Sequence, residues 1–173
     1  YGDRTMTSII KVDQIQTAAG TTPTAADLGI NVAGNVLQVK HHTIDPGSQS
    51  TQSTSLVDNG LNITITPKAA SSSFLIMMCM NECYIPSQQN AIGFAIHRDN
   101  YGTVSGDTDN ATIGYINGAT QSYFNYNLHC YDSPNTTSAI TYRGKIRSRY
   151  ANTTIHWNGD STPTFLTVME IAG

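Results

Sequence analysis

Charge is scarce in this sequence. Its 173 residues hold nine Lys and Arg against twelve Asp and Glu, 12% of the chain with a net charge of −3, about half the usual globular share. A general nucleic-acid binder needs a cationic face to neutralise phosphate, and this balance argues against one. Only two of the acids are Glu, Glu82 and Glu170. Glycoside hydrolysis needs two carboxylates facing across a cleft, and most Asp here sit in turn contexts, so depolymerase chemistry is not expected. Cysteine is scarce too, and odd in number: Cys79, Cys83 and Cys130 do not make a disulfide framework. Cys79 lies in an apolar run and reads as a buried free thiol; a Cys83–Cys130 bridge stays open. The longest apolar run, FLIMMCM at 74–80, falls far short of the about 18–20 residues that cross a bilayer as a helix. No signal peptide is visible, which fits release by lysis. Internal repeats are absent, which excludes a propeller or solenoid.

Catalytic motifs are missing as well. There is no nucleophile elbow, no phosphate-cradling Gly loop and no HExxH. His41 and His42 are adjacent, so on a strand they point to opposite faces and cannot chelate together. DTDN at 107–110 begins like a calcium loop but lacks the Gly and distal Glu; it reads as a polar loop. No enzyme activity, metal or cofactor is expected.

What fills the gap is Thr, Ser, Asn and Gly, which are poor helix formers. From Asn35 onward the chain reads strand, turn, strand. In LNITITP, Leu61, Ile63 and Ile65 share one face and Asn62, Thr64 and Thr66 the other, the period of a half-buried strand. The DNG before it reads as a tight connection. SSFLIMMCMNECYI is apolar in both phases, so it is a central strand covered on both faces or placed at a subunit contact. Ile92, Phe94 and Ile96 point inward. In SYFNYNLHCY, Tyr123, Asn125, Asn127 and His129 fall in one phase, Phe124, Tyr126, Leu128 and Cys130 in the other. Nine or ten short strands separated by Gly, Asn, Pro and Ser predict an all-β, antiparallel β-sandwich of jelly-roll type. Residues 35–173 form that head. Residues 1–34 hold little to bury beyond Ile9, Ile10, Val12 and Ile15, and read as a stem or attachment segment, with one helical turn over PTAADLG capped by Thr24.

Two surface features stand out. Four of the nine cations, Arg143, Lys145, Arg147 and Arg149, alternate along TYRGKIRSRY. On a strand they share one face, about 6.5–7 Å apart, and something must compensate their repulsion. Three readings stay open: a solvated outer strand, a subunit seam pairing them with Asp132, Asp160 or Glu170 of a neighbouring copy, or a stripe for phosphates or acidic sugars. Second, Tyr101, Tyr115, Tyr123 and Tyr126, with Tyr131, fall in or beside the 97–128 stretch. Tyrosines on turn-rich segments suit saccharide or protein contact; packing in the sandwich is the competing reading.

Four stretches carry a resemblance. LVDNGLNITITPKAASSSFLIMMCMN (56–81), YDSPNTTSAITYRGKIRS (131–148), STPTFLTVMEIAG (161–173) and SIIKVDQIQTAAGTTP (8–23) together resemble bacteriophage tail-fibre and virion-surface fibre domains of the marine and cyanobacterial type. The resemblance implies a non-enzymatic virion protein, a β-sandwich head on a short stem, a homotrimer, and exposure on the particle with adhesion to the host cell. It implies synthesis in the bacterial cytoplasm, and contact with other virion proteins through the N-terminal segment. The 97–128 stretch matches no family pattern, which places Tyr101, Tyr115, Tyr123 and Tyr126 where receptor contact is expected. A capsid-decorating or fibre-joint role and a secreted lectin-like module are the alternatives. Trimeric packing favours the seam reading of the stripe over the ligand reading.

Overall fold

A computed structural model of the chain describes residues 16, 19, 20, 22 and 33–173, apart from 46, 87–88, 107–113, 117–120 and 160–161. The chain divides into Tyr1–Val32 and Ala33–Gly173. The apolar segment Ile9, Ile10, Val12 and Ile15, the helical turn over PTAADLG, DTDN and Asp160 lie outside the described residues.

Ala33–Gly173 is built from eleven strands among the described residues: β1 Val36–Ile44, β2 Gln49–Thr51, β3 Val57–Ile65, β4 Ser73–Ile85, β5 Asn90–Arg98, β6 Gly102–Gly106, β7 Gly114–Ile116, β8 Ser122–Asp132, β9 Ile140–Ser148, β10 Ile155–Trp157 and β11 Thr164–Ile171. All pairings are antiparallel. Three pairs act as single interrupted strands. β1 and β2 run end to end along β11 and β10, and β6 and β7 run end to end along β5. Eight rows result. Sheet A has the order (β1, β2), (β11, β10), β4, β8, and sheet B has β3, β9, β5, (β6, β7). Counted along the chain, row one pairs with row eight, two with seven, three with six and four with five, and successive pairs alternate between the sheets. That is the wrapped hairpin of a jelly roll. The all-β jelly-roll expectation therefore holds.

The inner faces supply the core. β3 contributes Leu61, Ile63 and Ile65, and β4 contributes Phe74, Ile76, Met78 and Met80, all buried. Ile92, Phe94 and Ile96 come from β5, Tyr142 and Ile146 from β9, and Leu166 and Val168 from β11. Two ring contacts tie the layers: Phe74 tilts against Tyr142 at 6.0 Å, and Phe94 stacks on Tyr126 at 5.2 Å.

Polar groups close the ends. Asp132 of β8 accepts from Arg98 Nη1 at 2.7 and 2.9 Å and from Tyr142 Oη at 2.7 Å, joining sheet A to sheet B. The Arg98 and Asp132 side chains are only 13% and 12% exposed. Burial first, and then the Asp132 carboxylate, push the Tyr142 hydroxyl well above its ordinary range. Glu170 of β11 is fully buried. Gln38 Nε2 donates to one oxygen, and the Lys68 amide donates to the other at 2.6 Å. Burial alone would raise its pKa; hydrogen bonds from the Gln38 side chain and the Lys68 and Ala69 backbone outweigh it and hold the carboxyl below its ordinary value.

Two local expectations are corrected. DNG is no turn: Asp58, Asn59 and Gly60 lie inside β3, where the register to β9 shifts between Asp58 and Asn62. Gly60 takes φ +97° and the buried Asn59 side chain accepts from the Leu61 amide at 3.0 Å, so the segment is a bulge. The thiols are also rearranged. Cys83 is the fully buried one, while Cys79 points to the outer side of sheet A and is half-buried. All three are free. Register explains why: β8 sets Cys130 opposite Ile76 and Phe124 opposite Cys83, so Cys83 and Cys130 stand seven positions apart along the pair.

Removing the carboxylate in Asp132→Ala leaves a mostly buried guanidinium without its partner. We expect a loss of about 2–4 kcal/mol, read as a lower urea midpoint, with Asp132→Asn milder because it still accepts. For Glu170 the folded carboxyl titrates lower than the unfolded one. Its stabilisation is therefore complete above the unfolded pKa of about 4.3 and is lost as pH falls through the depressed folded value. The stability gap between wild type and Glu170→Gln should close in acid denaturation series taken below pH ~4.

Candidate functional site

The interior is spent on the core, so any site must lie on an outer face or at an end. The two outer faces differ sharply.

Sheet B shows polar rows. Asn62, Arg143, His97 and Thr103 stand side by side, with the His97 ring bonded to Thr103 Oγ1 at 2.6 Å. Asp58, Lys145 and Ala95 form the next row, and Arg147 stands opposite Gly93. The stripe residues Arg143, Lys145 and Arg147 do share this face, and Tyr142, Gly144, Ile146 and Ser148 are buried beneath. Arg149 lies past the end of β9, in a bend, with its guanidinium 5.8 Å from the Tyr150 ring. The compensation is internal. Arg143 forms a forked pair with Asp99 at 2.9 and 3.1 Å. Lys145 Nζ lies 2.7 Å from Asp58, and Arg147 donates to the Thr54 carbonyl at 3.3 Å. Of the seam partners expected in a neighbouring copy, Asp132 is committed to Arg98 and Tyr142 and Glu170 is buried, while Asp160 lies outside the described residues. Within the chain, the cations of this face are internally paired.

Sheet A shows the opposite. Four rows cross all four of its strands on the outer side. The first is Val39, Met169, Leu75 and Tyr131; the second His41, Thr167, Met77 and His129; the third Thr43, Phe165, Cys79 and Asn127. After a bulge between Met80 and Cys83 comes the fourth, Ser50, His156, Tyr84 and Tyr123. None of these sixteen positions is Asp, Glu, Lys or Arg. Val39, Tyr123 and Tyr131 are 53%, 60% and 62% exposed. In the fourth row Tyr84 stacks flat on His156 at 4.2 Å and tilts against Tyr123 at 5.2 Å. Between the second and third rows lies a hollow of about 250 Å³ lined by Met77, Cys79, Asn127, His129 and Phe165. Glu82, at the bulge, is held by Thr162 Oγ1 at 2.6 Å.

The four tyrosines do not converge. Tyr101 caps the β5–β6 turn, with the Arg98 guanidinium 4.0 Å over its ring. Tyr115 pairs with Ala91 near the opposite end of β5, its hydroxyl taking a bond from Gln89. Tyr123 belongs to sheet A. Tyr126 departs from the expectation: it is partly buried and faces the sandwich, stacked on Phe94, and burial raises its hydroxyl pKa. The sequence marked only the β4 share of this face, because its other members come from three further strands. The signal available was β4, apolar in both phases.

Among the described residues no group of three or more His, Cys, Asp or Glu side chains is placed to hold a metal. No family model matches the chain, and no curated protein matches it. Among solved structures it is similar to that of the infectious bursal disease virus Gx strain, at 14% identity and TM-score 0.37, and to the infectious bursal disease virus VP2 subviral particle, at 16% and 0.39. Both matches cover 80% of this chain and only 33% and 34% of those chains. Likeness at that level assigns no function; the jelly roll stands on its own strand pairings.

The forked bond from Arg143, ahead of the opposing effect of its slight burial, holds the Asp99 carboxyl below its ordinary range. Arg143→Ser should return the Asp99 titration upward toward the usual carboxylate value, measurable by NMR, with the fold intact.

Proposed function

We propose that this chain is a structural protein of a bacteriophage particle, a jelly-roll head that assembles with copies of itself and sits on the virion surface. One observation carries the reading: the outer face of sheet A. A sheet that keeps one face in water alternates apolar-in and polar-out, as β3 and β9 of sheet B do. Sheet A sets Val39, Leu75, Met77, Phe165, Met169 and Tyr131 where water would be, and such contiguous apolar area marks a surface made to be covered. The resemblance of four stretches to phage fibre domains supports the same conclusion, as does a surface of hydroxyls and amides.

Within that reading the finer role is a trimeric fibre or appendage head that attaches to the host cell, with residues 1–34 joining it to other virion proteins. Tyr101 and Tyr115, exposed at the two ends of β5, are then contact points on the open side. A decorating or joint role without adhesion is the second reading. The internal pairing of the sheet B cations favours it, since it leaves that face without an evident ligand grip.

Antibody labelling of particles with electron microscopy tests the proposal. Label at appendage tips, with antibody blocking adsorption and Tyr101→Ala with Tyr115→Ala weakening it, is the expected result. Label on the capsid with adsorption unaffected moves the chain to the decorating role. A monomer in solution with no label on any particle overturns the proposal.

A further inference from the structure

We infer that the outer face of sheet A packs against the same face of a second copy of this chain, a two-fold contact; the inference rests on the self-assembly in the reading above, not on its trimeric form, and assigns it a surface. Three physical arguments select another copy as the occupant. The first is charge. A partner of distinct chemistry is chosen by complementary potential, and the four rows offer no Asp, Glu, Lys or Arg to complement. Covering the four rows desolvates no Asp, Glu, Lys or Arg of theirs, whereas covering sheet B would desolvate Arg143 and Lys145 together with their partners Asp99 and Asp58.

The second is area. Four strands about 4.8 Å apart and the about ten residues from Leu75 to Tyr84 at about 3.3 Å each outline about 600 Å² per copy. Two copies then bury about 1,200 Å², at the lower edge of stable specific interfaces. The third is relief. The face holds both a socket and candidates to fill it. The hollow between Met77, Cys79, Phe165 and His129 accepts one large side chain. Val39, Tyr123 and Tyr131 stand more than half exposed on the same face. Met77 beside the hollow is the adaptable kind of lining that closes around an inserted ring, and aromatic anchors in such pockets carry most of an interface's energy.

The same contact explains β4. A strand apolar in both phases is costly to leave with one side wet, and with sheet A covered both of its faces are buried. It also redirects the sequence expectation of a seam from the β9 cations to the sheet behind them.

The test is sedimentation velocity on the full chain over a range of concentrations, with thermal melting as the check on folding. Val39→Lys with Tyr131→Lys puts two charges on the first row at exposed positions on the outer strands. We expect the association to weaken by about a hundredfold or more with the monomer fold retained. Arg143→Ser with Lys145→Ser, on sheet B, should leave the association unchanged. If wild type associates and the sheet A variant associates equally well, this interface is wrong while the assembly reading survives. If the sheet B variant dissociates instead, the contact lies on the stripe. A wild type that stays monomeric to high concentration overturns both readings.

Discussion

Phe74, Ile76, Met78 and Met80 of sheet A against Ile63, Phe94, Tyr142 and Ile146 of sheet B form the contact on which the domain depends. Each sheet is only a layer of backbone hydrogen bonds until one face is removed from water, and full burial of a side chain of this size contributes about 1.5–3 kcal/mol. The register of every strand is pinned by that burial, because a slip of one residue would turn an entire apolar set outward. Asp132 closes the end of this core by accepting from Arg98 and Tyr142. The rest of the molecule is then determined by which residues occupy the opposite phase.

Alternation was the legible part. Leu61, Ile63 and Ile65, Ile92, Phe94 and Ile96, and the buried phase of TYRGKIRS are in the structure as their period predicts. Turn chemistry marked most boundaries. What failed was anything requiring knowledge of a neighbour. DNG carries turn residues, yet Gly60 spends its positive φ on a bulge in a continuing strand, because β9 pairs on both sides of it. Cys79 looked buried within its own run; only pairing to Phe165 and Asn127 shows that its phase is the outer one. The compensation of Arg143 by Asp99 and of Lys145 by Asp58 spans 44 and 87 residues of chain, a separation no local pattern encodes. Tyr126 was assigned by the company it keeps in sequence, when its phase with Phe124 and Leu128 already pointed it inward.

The eight-row order could not be read from sequence for a similar reason. Rows one and eight, two and seven, three and six, four and five are paired across ever shorter stretches of chain, so the outermost pair joins β1 to β11 across 120 residues or more. Three of the rows are broken, β1 from β2, β6 from β7 and β10 from β11, which made eight rows look like a longer series of unrelated short strands. Local period fixes the face of each piece, and the sandwich alone fixes its place.

The distribution of the few charges follows from this geometry. Arg143, Lys145 and Arg147 are on a central strand of sheet B, over the small residues Gly93 and Ala95, with Asp99 and Asp58 at their flanks. This arrangement keeps one outer face wet, because covering it would desolvate Arg143 and Lys145 together with Asp99 and Asp58. Sheet A has no such guard. The four outer rows of sheet A hold none of the chain's few charged residues, so covering them desolvates none of their own. In the assembly proposed above, the charged stripe opposes contact on sheet B and the apolar rows of sheet A favour it. Both are needed for a single mode of packing, because an apolar face alone favours association without excluding the other side.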